Sequence, residues 1–424
     1  MNYTVLECKA LDEKAHIYTH ESGLKIYIVP KKGFKRKCAY FAANYGSMDV
    51  FYEKDGEKVP IPDGLAHFLE HKLFESEEGD AFTKYAKTGA SANAFTSFGC
   101  TAYNFSCADK FYENLEILTD LVQTPYFTDE NVKKEQGIIG QEINMYLDAP
   151  DWRVYQNMLE AMYQNSTVRR DIAGSVESIS KITPELLYDC YSKFYSPENM
   201  VLVLVGDIDH QETAKVLEKL LCNLKKRECP KKVYLEEPKN VEKAYTEQNL
   251  SVSFPIYMIG FKSKPSKIGI DTLRQGIIGE IALGILYGKS SKFFTENYEK
   301  GYINDKFGAI YEVCTNYSHA ILECEGEYYE EVKRSAVETA ENAVKNGISD
   351  QDFERRKTLL KSDFIRGFND VEKIAGRFMD AEFDKYNLYD TTSLIDEVTK
   401  EDVLDFIKGV LAEENSVLSV ILPK

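Results

Sequence analysis

The sequence predicts an α+β protein with two homologous domains, each a mostly antiparallel sheet with helices packed on it. Its 424 residues exceed what one hydrophobic core normally organises, so two or more domains are expected. Strand-like segments are scattered among many helix-like ones, with hairpin-like alternation in the first half. A segment near the middle of the chain also recurs at its end, which indicates that one domain was duplicated.

The repeated unit is a helix followed by a strand. ITPELLYDCYSKFYSPENMVLVLVGD begins at residue 182 and aligns without a gap with VTKEDVLDFIKGVLAEENSVLSVILP, which begins at residue 398, an offset of 216. Thr183 and Thr399 are predicted to cap the helices, and Asn199 and Asn415 to precede the strands. A chance likeness is the alternative, because helix-strand units are common.

The domains are predicted at residues 1–224 and 244–424. The linker between them, 225–243, is rich in Lys, Glu and Pro and has little apolar periodicity. The first domain is predicted to contain strands at 16–30, 38–45, 92–107 and 200–205, and helices near 64–75, 109–124, 129–148, 155–164, 183–195 and 211–222. The second is predicted to have strands near 247–262, 309–326 and 416–422, with helices around them.

Composition and charge exclude several classes of protein. Hydrophobic residues at 43% and aromatic residues at 12% are sufficient for large cores and rule out a mainly disordered chain. A net charge of −17 argues against nucleic acid and anionic membranes as main partners. The start of the chain lacks a signal-peptide pattern and no apolar run is long enough to span a membrane, so a cytoplasmic location is expected. The nine cysteines form no CxxC pair, so any metal must use His and carboxylate ligands.

Two of the six histidines fall within the five residues HFLEH, at His67 and His71. The preceding Pro-Asp-Gly resembles a helix start, and the helix is apolar nearly all round, so it is expected to be buried. Residues four apart lie on one side of a helix, so both imidazoles can reach a single cation, with Glu70 next to the second. The alternative is a chance pattern with satisfied core histidines.

A third ligand is predicted on a helix over 129–148 that Pro150 stops. One face of this helix is predicted to hold Glu135, Ile138, Ile139, Glu142 and Tyr146. Carboxylates are rarely buried unless they are paired or bound to a metal, so this face indicates a cation, and the two histidines complete a His₂Glu zinc site. Glu142 is the predicted ligand, and Glu135 the carboxylate that orients the catalytic machinery.

These motifs resemble the pitrilysin/insulysin family of zinc peptidases, whose inverted HxxEH signature precedes a distant glutamate. The matching stretches are GLAHFLEHKLFE from residue 64, GASANAFTS from residue 89 with Thr101 and Tyr103, the Glu135 and Glu142 pair, and NMVLVLVGD from residue 199. The second half matches weakly, through the repeat and Ser290-Ser291. The chain is similar above all to the half-length bacterial branch.

The resemblance implies an endopeptidase that cleaves unstructured peptides and holds one Zn²⁺ per chain. The implied ligands are His67, His71 and Glu142. Glu70 is implied as the base that deprotonates the attacking water. Asn93 and Ala94 are implied to lie on an edge strand that pairs with the substrate backbone, although an ordinary turn or strand asparagine is an equal alternative.

The second half departs from the family pattern. Many active relatives have an Arg and, seven residues later, a Tyr that hold the substrate carbonyl, but here Asn297 and Asn304 fall at those places. The departure predicts a heterodimer with a homologous, metal-free subunit that supplies the pair and closes a chamber. A homodimer, or replacement of the donor by Tyr298 or Tyr302, is the alternative. The competing function is a non-catalytic family member that acts in assembly or processing, but the intact ligands and base argue against it.

Overall fold

The computed structural model describes residues 1–9, 11–77 and 79–424. Its strands are β1 (Asn2–Cys8), β2 (Glu13–Thr19), β3 (Lys25–Pro30), β4 (Lys37–Ala43), β5 (Phe51–Lys54), β6 (Glu57–Pro60), β7 (Glu75–Ser76), β8 (Gly79–Asp80), β9 (Ser91–Thr96), β10 (Thr101–Cys107), β11 (Met200–Gly206), β12 (Tyr245–Leu250), β13 (Ile256–Lys262), β14 (Gly308–Val313), β15 (Ser318–Glu325) and β16 (Ser416–Pro423). Its helices are α1 (Leu65–Leu73), α2 (Ala81–Thr88), α3 (Phe111–Gln123), α4 (Asp129–Leu147), α5 (Pro150–Met162), α6 (Val176–Ile179), α7 (Pro184–Phe194), α8 (His210–Leu220), α9 (Ile270–Leu286), α10 (Lys292–Glu299), α11 (Tyr329–Asn346), α12 (Asp350–Gly367), α13 (Val371–Phe383), α14 (Thr391–Glu397) and α15 (Lys400–Val410).

The chain divides into two compact units. The first comprises Met1–Ile143, Asp171–Tyr234 and Ile365–Phe383, and the second comprises Asn144–Arg170, Leu235–Phe364 and Asp384–Lys424. This division differs from the contiguous domains predicted at 1–224 and 244–424. Helix α5 packs on β13 and β16 in the second unit, whereas α13 packs on β4 and β11 in the first. Position along the chain cannot show which sheet the apolar face of a helix covers.

The first unit contains a seven-stranded sheet in the order β1-β2-β3-β11-β4-β10-β9. Strands β3 and β11 run parallel, and the other neighbours run antiparallel, which confirms the mostly antiparallel sheet. The predicted strands 16–30 and 92–107 are each two strands joined by a turn. Strand β1 and the β5–β6 hairpin were missed: β1 is mostly exposed, and β5 and β6 have only four residues each. Strand β9 forms the edge of the sheet.

The second unit contains a five-stranded sheet in the order β12-β16-β13-β15-β14. Strands β12 and β16 run parallel, and the remaining neighbours run antiparallel. The part of the first sheet that begins at β3, in the order β3-β11-β4-β10-β9, has the same arrangement. In both sheets the last strand in the chain, β11 or β16, lies between its parallel partner and an antiparallel strand. The two sheets are therefore homologous in topology, and the first has β1 and β2 in addition.

Equivalent side chains close the repeated unit in both halves. The hydroxyls of Thr183 and Thr399 accept hydrogen bonds from the backbone N–H three residues on, at the start of α7 and α15. The side-chain amides of Asn199 and Asn415 each donate to the carbonyl five residues earlier, at the end of the same helix. These matching contacts satisfy groups that a helix end leaves unpaired.

Helix α5 begins at Pro150, earlier than the predicted range of 155–164. Pro150, predicted only to stop the preceding helix, occupies the first turn of α5, where no N–H is required. The helix lies close to its sheet at Gly260, because a Cβ there would come within 2.3 Å of Cε of Met162. The glycine therefore permits the close packing of α5 on β13.

Each unit has its own hydrophobic core. In the first, Phe41 and Leu202 of the sheet pack with Phe68 of α1. In the second, Ile259 of the sheet packs with Ile281 of α9. Over the described ranges, no helix is both long enough and apolar enough to cross a membrane.

Candidate metal centre

Helix α1 is fixed at its start by Gly64, which has a φ of 85°. A Cβ at this position would lie 2.3 Å from the carbonyl oxygen of Ala173, so the close approach of the two segments requires glycine. The predicted helix 64–75 is observed as Leu65–Leu73, and most of its residues are buried, as its apolar sequence indicated. This burial directs the histidines of the motif into the interior of the first unit.

The structure brings together the three predicted metal ligands. Nε2 of His67 lies 3.7 Å from Oε1 of Glu142, and Nε2 of His71 lies 3.5 Å from Oε2 of the same carboxylate. One ligand atom from each of the three residues lies within 4.8 Å of the others. Glu142 comes from α4, observed at Asp129–Leu147, so two helices distant in sequence build the cluster.

The donor set fits a zinc ion. Ligands at zinc bond lengths in a tetrahedral arrangement lie roughly 3.3 Å apart, close to the 3.7 and 3.5 Å that separate each histidine Nε2 from one oxygen of Glu142. Burial and the neighbouring charge of His71 lower the pKa of His67 to about 3, so this imidazole is neutral, which is the form that binds a metal. The imidazole nitrogens of His67 and His71 and the carboxylate of Glu142 match a His₂Glu zinc site.

Glu135 contacts the far side of His71. Its Oε1 lies 3.1 Å from Nδ1 of the imidazole, and its Oε2 lies 3.5 Å from Nζ of Lys72. Burial alone would raise the pKa of Glu135, but the hydrogen bond with His71 and the charge of Lys72 lower it overall. For His71, burial alone would lower the pKa, but the hydrogen bond to Glu135 and the nearby carboxylates raise it. Glu135 therefore hydrogen-bonds a predicted metal ligand, and its orienting role stays a prediction.

Glu70 is held by a residue of the edge strand. The hydroxyl of Thr96, at the end of β9, donates a hydrogen bond of 2.6 Å to Oε2 of Glu70. Burial raises the pKa of Glu70 above its usual range. Sequence reasoning did not single out Thr96, although it lies in the GASANAFTS segment. No pattern within β9 indicates which distant carboxylate its hydroxyl contacts.

Asn93 and Ala94 lie on β9, at the edge of the first sheet, as predicted. They line a cavity of about 760 Å³ together with Glu70 and His71. The cavity wall also includes Phe74, Phe82, Tyr126, Lys134, Glu135 and Ile138. The edge strand and the candidate metal centre therefore open into the same space.

The predicted apolar face of α4 is wrong at one position. Ile138 is 45% exposed and lines the cavity. The buried residues of α4 include Val132, Glu135, Ile139 and Ile143. At 100° per residue, Ile138 falls at the margin of this face, so periodicity alone could not separate a core residue from one at the mouth of the site.

Neither asparagine at the predicted Arg and Tyr positions is free in the second unit. Asn297 is 2% exposed, and its amide donates to backbone and side-chain oxygens within the unit. The amide of Asn304 donates to Glu325 over 3.2 Å. Tyr302 stacks on another tyrosine ring with centroids 4.5 Å apart, and Tyr298 is 52% exposed. Both asparagines therefore serve the local structure of the second unit.

A buried HxxEH helix, a glutamate from a second helix and two topologically homologous sheets define a two-domain chain of the inverted-motif class. Residues 58–176 match the family model "Insulinase (Peptidase family M16)", and residues 181–360 match "Peptidase M16 inactive domain". The chain belongs to peptidase family M16, the pitrilysin/insulinase family, and is of the half-length type.

Relatives that match this chain along nearly its whole length support the assignment. The chain is 38% identical to a Bacillus subtilis protein with the name "Uncharacterized zinc protease YmfH", over 99% of both chains. A solved candidate M16-like peptidase from Alicyclobacillus acidocaldarius is 32% identical, with a TM-score of 0.94 over 99% of this chain and 100% of that one. A solved protease from Helicobacter pylori, 20% identical with a TM-score of 0.84 over 97% of this chain and 100% of that one, shows the shared fold alone.

Proposed function

We propose that the chain is a zinc-dependent endopeptidase subunit that cleaves extended, unstructured peptides. The convergence of His67, His71 and Glu142 on one point is the observation that supports this proposal most strongly. The Bacillus relative, which is similar along the whole chain, is named a zinc protease, and this agrees with the proposal. One zinc ion per chain would be held by the two Nε2 atoms and the carboxylate.

When bound, zinc would polarise the scissile carbonyl and acidify the attacking water. Glu70 takes the proton of that water and passes it to the leaving amine. The Thr96 hydrogen bond fixes Oε2 of Glu70, which leaves Oε1 for the proton transfer. Because burial raises the pKa of Glu70, its carboxylate is a stronger base than an exposed one.

The substrate pairs with β9 as an added strand. Strand β9 has β10 on one side and forms the sheet edge on the other, so its outer N–H and C=O groups can pair with an extended peptide. Asn93 and Ala94 lie three and two residues before Thr96, which contacts the base. A peptide paired along this stretch would therefore pass Glu70. A substrate segment must be extended to pair in this way, which favours unstructured peptides.

A homologous, metal-free subunit completes the site in this proposal, with a homodimer as the alternative. A developing oxyanion needs a fixed donor, and loss of one such donor typically costs about 10²–10³ in rate. Asn297 and Asn304 are engaged in local hydrogen bonds. The donor would then come from the Arg and Tyr of the partner.

The test of the zinc-dependent activity uses purified protein and a quenched, unstructured peptide. Cleavage is expected with zinc, is expected to stop after chelation, and should return when zinc is added back. Glu70→Gln is the matched control, because it preserves the ligands and removes the base. Undiminished cleavage by the chelated protein would contradict the proposal. Bound zinc without cleavage, both alone and with the partner, would favour the non-catalytic alternative.

The partner is tested by assaying the chain alone and mixed with a homologous half-length chain that has the Arg and Tyr but lacks HxxEH. We expect the mixture to cleave roughly 10²–10³ times faster than the chain alone. Substitution of the partner's Arg should abolish the gain. Full activity of the isolated chain, with no gain on mixing, would refute the heterodimer.

A further inference from the structure

Lys72 is a fully buried lysine next to a predicted metal ligand. It follows His71 in α1, and its side chain has 0% exposure. A buried ammonium is costly and is almost never found without a charged partner. The surrounding helix is apolar, and a methionine or leucine would fill the same space without this cost. The charge of Lys72 therefore calls for a role that packing does not supply.

The ammonium of Lys72 is paired with two carboxylates. One is Glu75, which lies one turn further along the chain and has a side chain 34% exposed. The other is Glu135, whose Oε2 lies 3.5 Å from Nζ. The second oxygen of Glu135 lies 3.1 Å from Nδ1 of His71. Glu135 therefore bridges Lys72 and His71 through its two oxygens.

The charges around the cluster show why a fixed cation is useful there. Glu70, Glu135 and Glu142 all lie within or beside the cluster of two histidines. A divalent ion would balance two of these carboxylates, and Lys72 adds one further positive charge, which Glu135 shares with Glu75. Of these three, Glu135 is the carboxylate that contacts Lys72, and like Glu70 it lies outside the group of metal-ligating residues.

We propose that Lys72 is a positioning residue for the metal centre, which acts through Glu135. Its ammonium holds one oxygen of Glu135, so the other stays directed at Nδ1 of His71. That hydrogen bond keeps the proton of the imidazole on Nδ1 and leaves Nε2 facing Glu142 as a metal donor. The inference rests on the proposed zinc site and extends it to a residue that is neither ligand nor base.

The test compares the zinc affinity of Lys72→Met with that of the wild-type chain, by competition with a chromogenic chelator. Methionine keeps the unbranched apolar stem and removes the ammonium. Loss of a group that orients a metal-bound histidine typically weakens metal binding about 10–100-fold, and we expect a loss in this range. Lys134→Met is the matched control, because Lys134 is an exposed lysine that directly precedes Glu135 in the chain. It should bind zinc like the wild type.

A double-mutant cycle tests whether Lys72 acts through Glu135. Glu135→Gln alone should also weaken zinc binding, and adding Lys72→Met to it should change the affinity by less than about threefold, since the route is already broken. Fully additive losses would overturn the proposed route. The absorption spectrum of the Co²⁺-substituted protein gives a second reading, because a reoriented His71 should change it in Lys72→Met but not in Lys134→Met.

Thermal unfolding of the metal-free proteins separates positioning from folding. If Lys72→Met does not fold, Lys72→Gln replaces it, because a glutamine amide can still donate to a carboxylate. We expect a folded Lys72→Gln variant to bind zinc about 3–10 times more weakly than the wild type. A folded variant with wild-type zinc affinity and spectrum overturns the role of Lys72 while leaving the zinc site intact. Failure of the wild-type chain to bind zinc would instead refute the proposed function.

Discussion

The two units have homologous sheets but differ in one helix, which follows β4 in the first unit and β13 in the second. In the first unit, this helix is α1, which lies in the chain between β4 and β9 and contains the HxxEH motif. In the second, it is α9, between β13 and β14, which contains no histidine and buries Ile277 and Ile281. Among the described residues, the group of His67, His71 and Glu142 is the one that meets the geometry of a metal site. Within the described ranges, the shared fold therefore has candidate metal-ligating side chains in the first unit and not in the second.

This difference separates what specifies the fold from what specifies the chemistry. The shared fold depends on strand order, helix caps and two asparagines at equivalent places, none of which contacts the metal cluster. The cluster depends on a few polar side chains placed on buried helix faces.

The largest expected effect is the loss of metal from the first unit. We expect about one zinc per wild-type chain, and almost none in His67→Ala or His71→Ala, because each variant removes a ligand. His319→Asn is the control from the second unit. His319 is fully buried, so this variant should lower thermal stability, but its folded fraction should keep the zinc.

Metal analysis of the folded proteins decides this comparison. Stoichiometric zinc in both alanine variants, or loss of zinc in His319→Asn alone, would show that the site was assigned to the wrong unit.

The next effect is on turnover without loss of metal. Glu70→Gln should retain zinc and reduce peptide cleavage about 10²–10⁴-fold, the usual contribution of a general base. Glu280→Gln on α9 makes the same change on the corresponding helix of the second unit and should cleave at nearly the wild-type rate. Comparable losses in both variants would mean that the units do not divide fold from chemistry as we describe.

The candidate ligands could be predicted from the sequence because they lie at fixed spacings on two helices. His67 and His71 are one helical turn apart, and Glu142 follows from the face of a long, well-delimited helix. Lys72 and Thr96 were missed, since their roles depend on which residue lies opposite after folding. Local patterns were sufficient to predict the repeated helix and strand. They could not show that α5 belongs to the second unit and α13 to the first, because both helices are amphipathic and an apolar face does not indicate which sheet it covers.

A smaller effect is expected from the hydroxyl that holds the base. Thr96→Val preserves the shape of the side chain and removes its hydrogen bond to Glu70. We expect turnover to fall roughly tenfold, equivalent to about 1.4 kcal/mol, with unchanged zinc content. Thr246→Val on β12, an edge strand of the second sheet, is the matched control and should have no effect on turnover. Equal rates for Thr96→Val and the wild type would remove Thr96 from the site.

The smallest effect tests the feature that the units share. Thr183→Ala and Thr399→Ala each remove a helix cap, which typically costs about 1 kcal/mol. Thr399 also takes part in a reciprocal capping box with Asp402, so its loss is expected to cost slightly more. Amide hydrogen exchange can be measured in each unit separately. Thr183→Ala should lower the protection of the β11 amides, and Thr399→Ala should lower the protection of the β16 amides. The serine variants retain the capping oxygen and should behave like the wild type. If the alanine at 183 lowered protection equally in both strands, the units would unfold together, and the duplicated scaffold would be one cooperative structure.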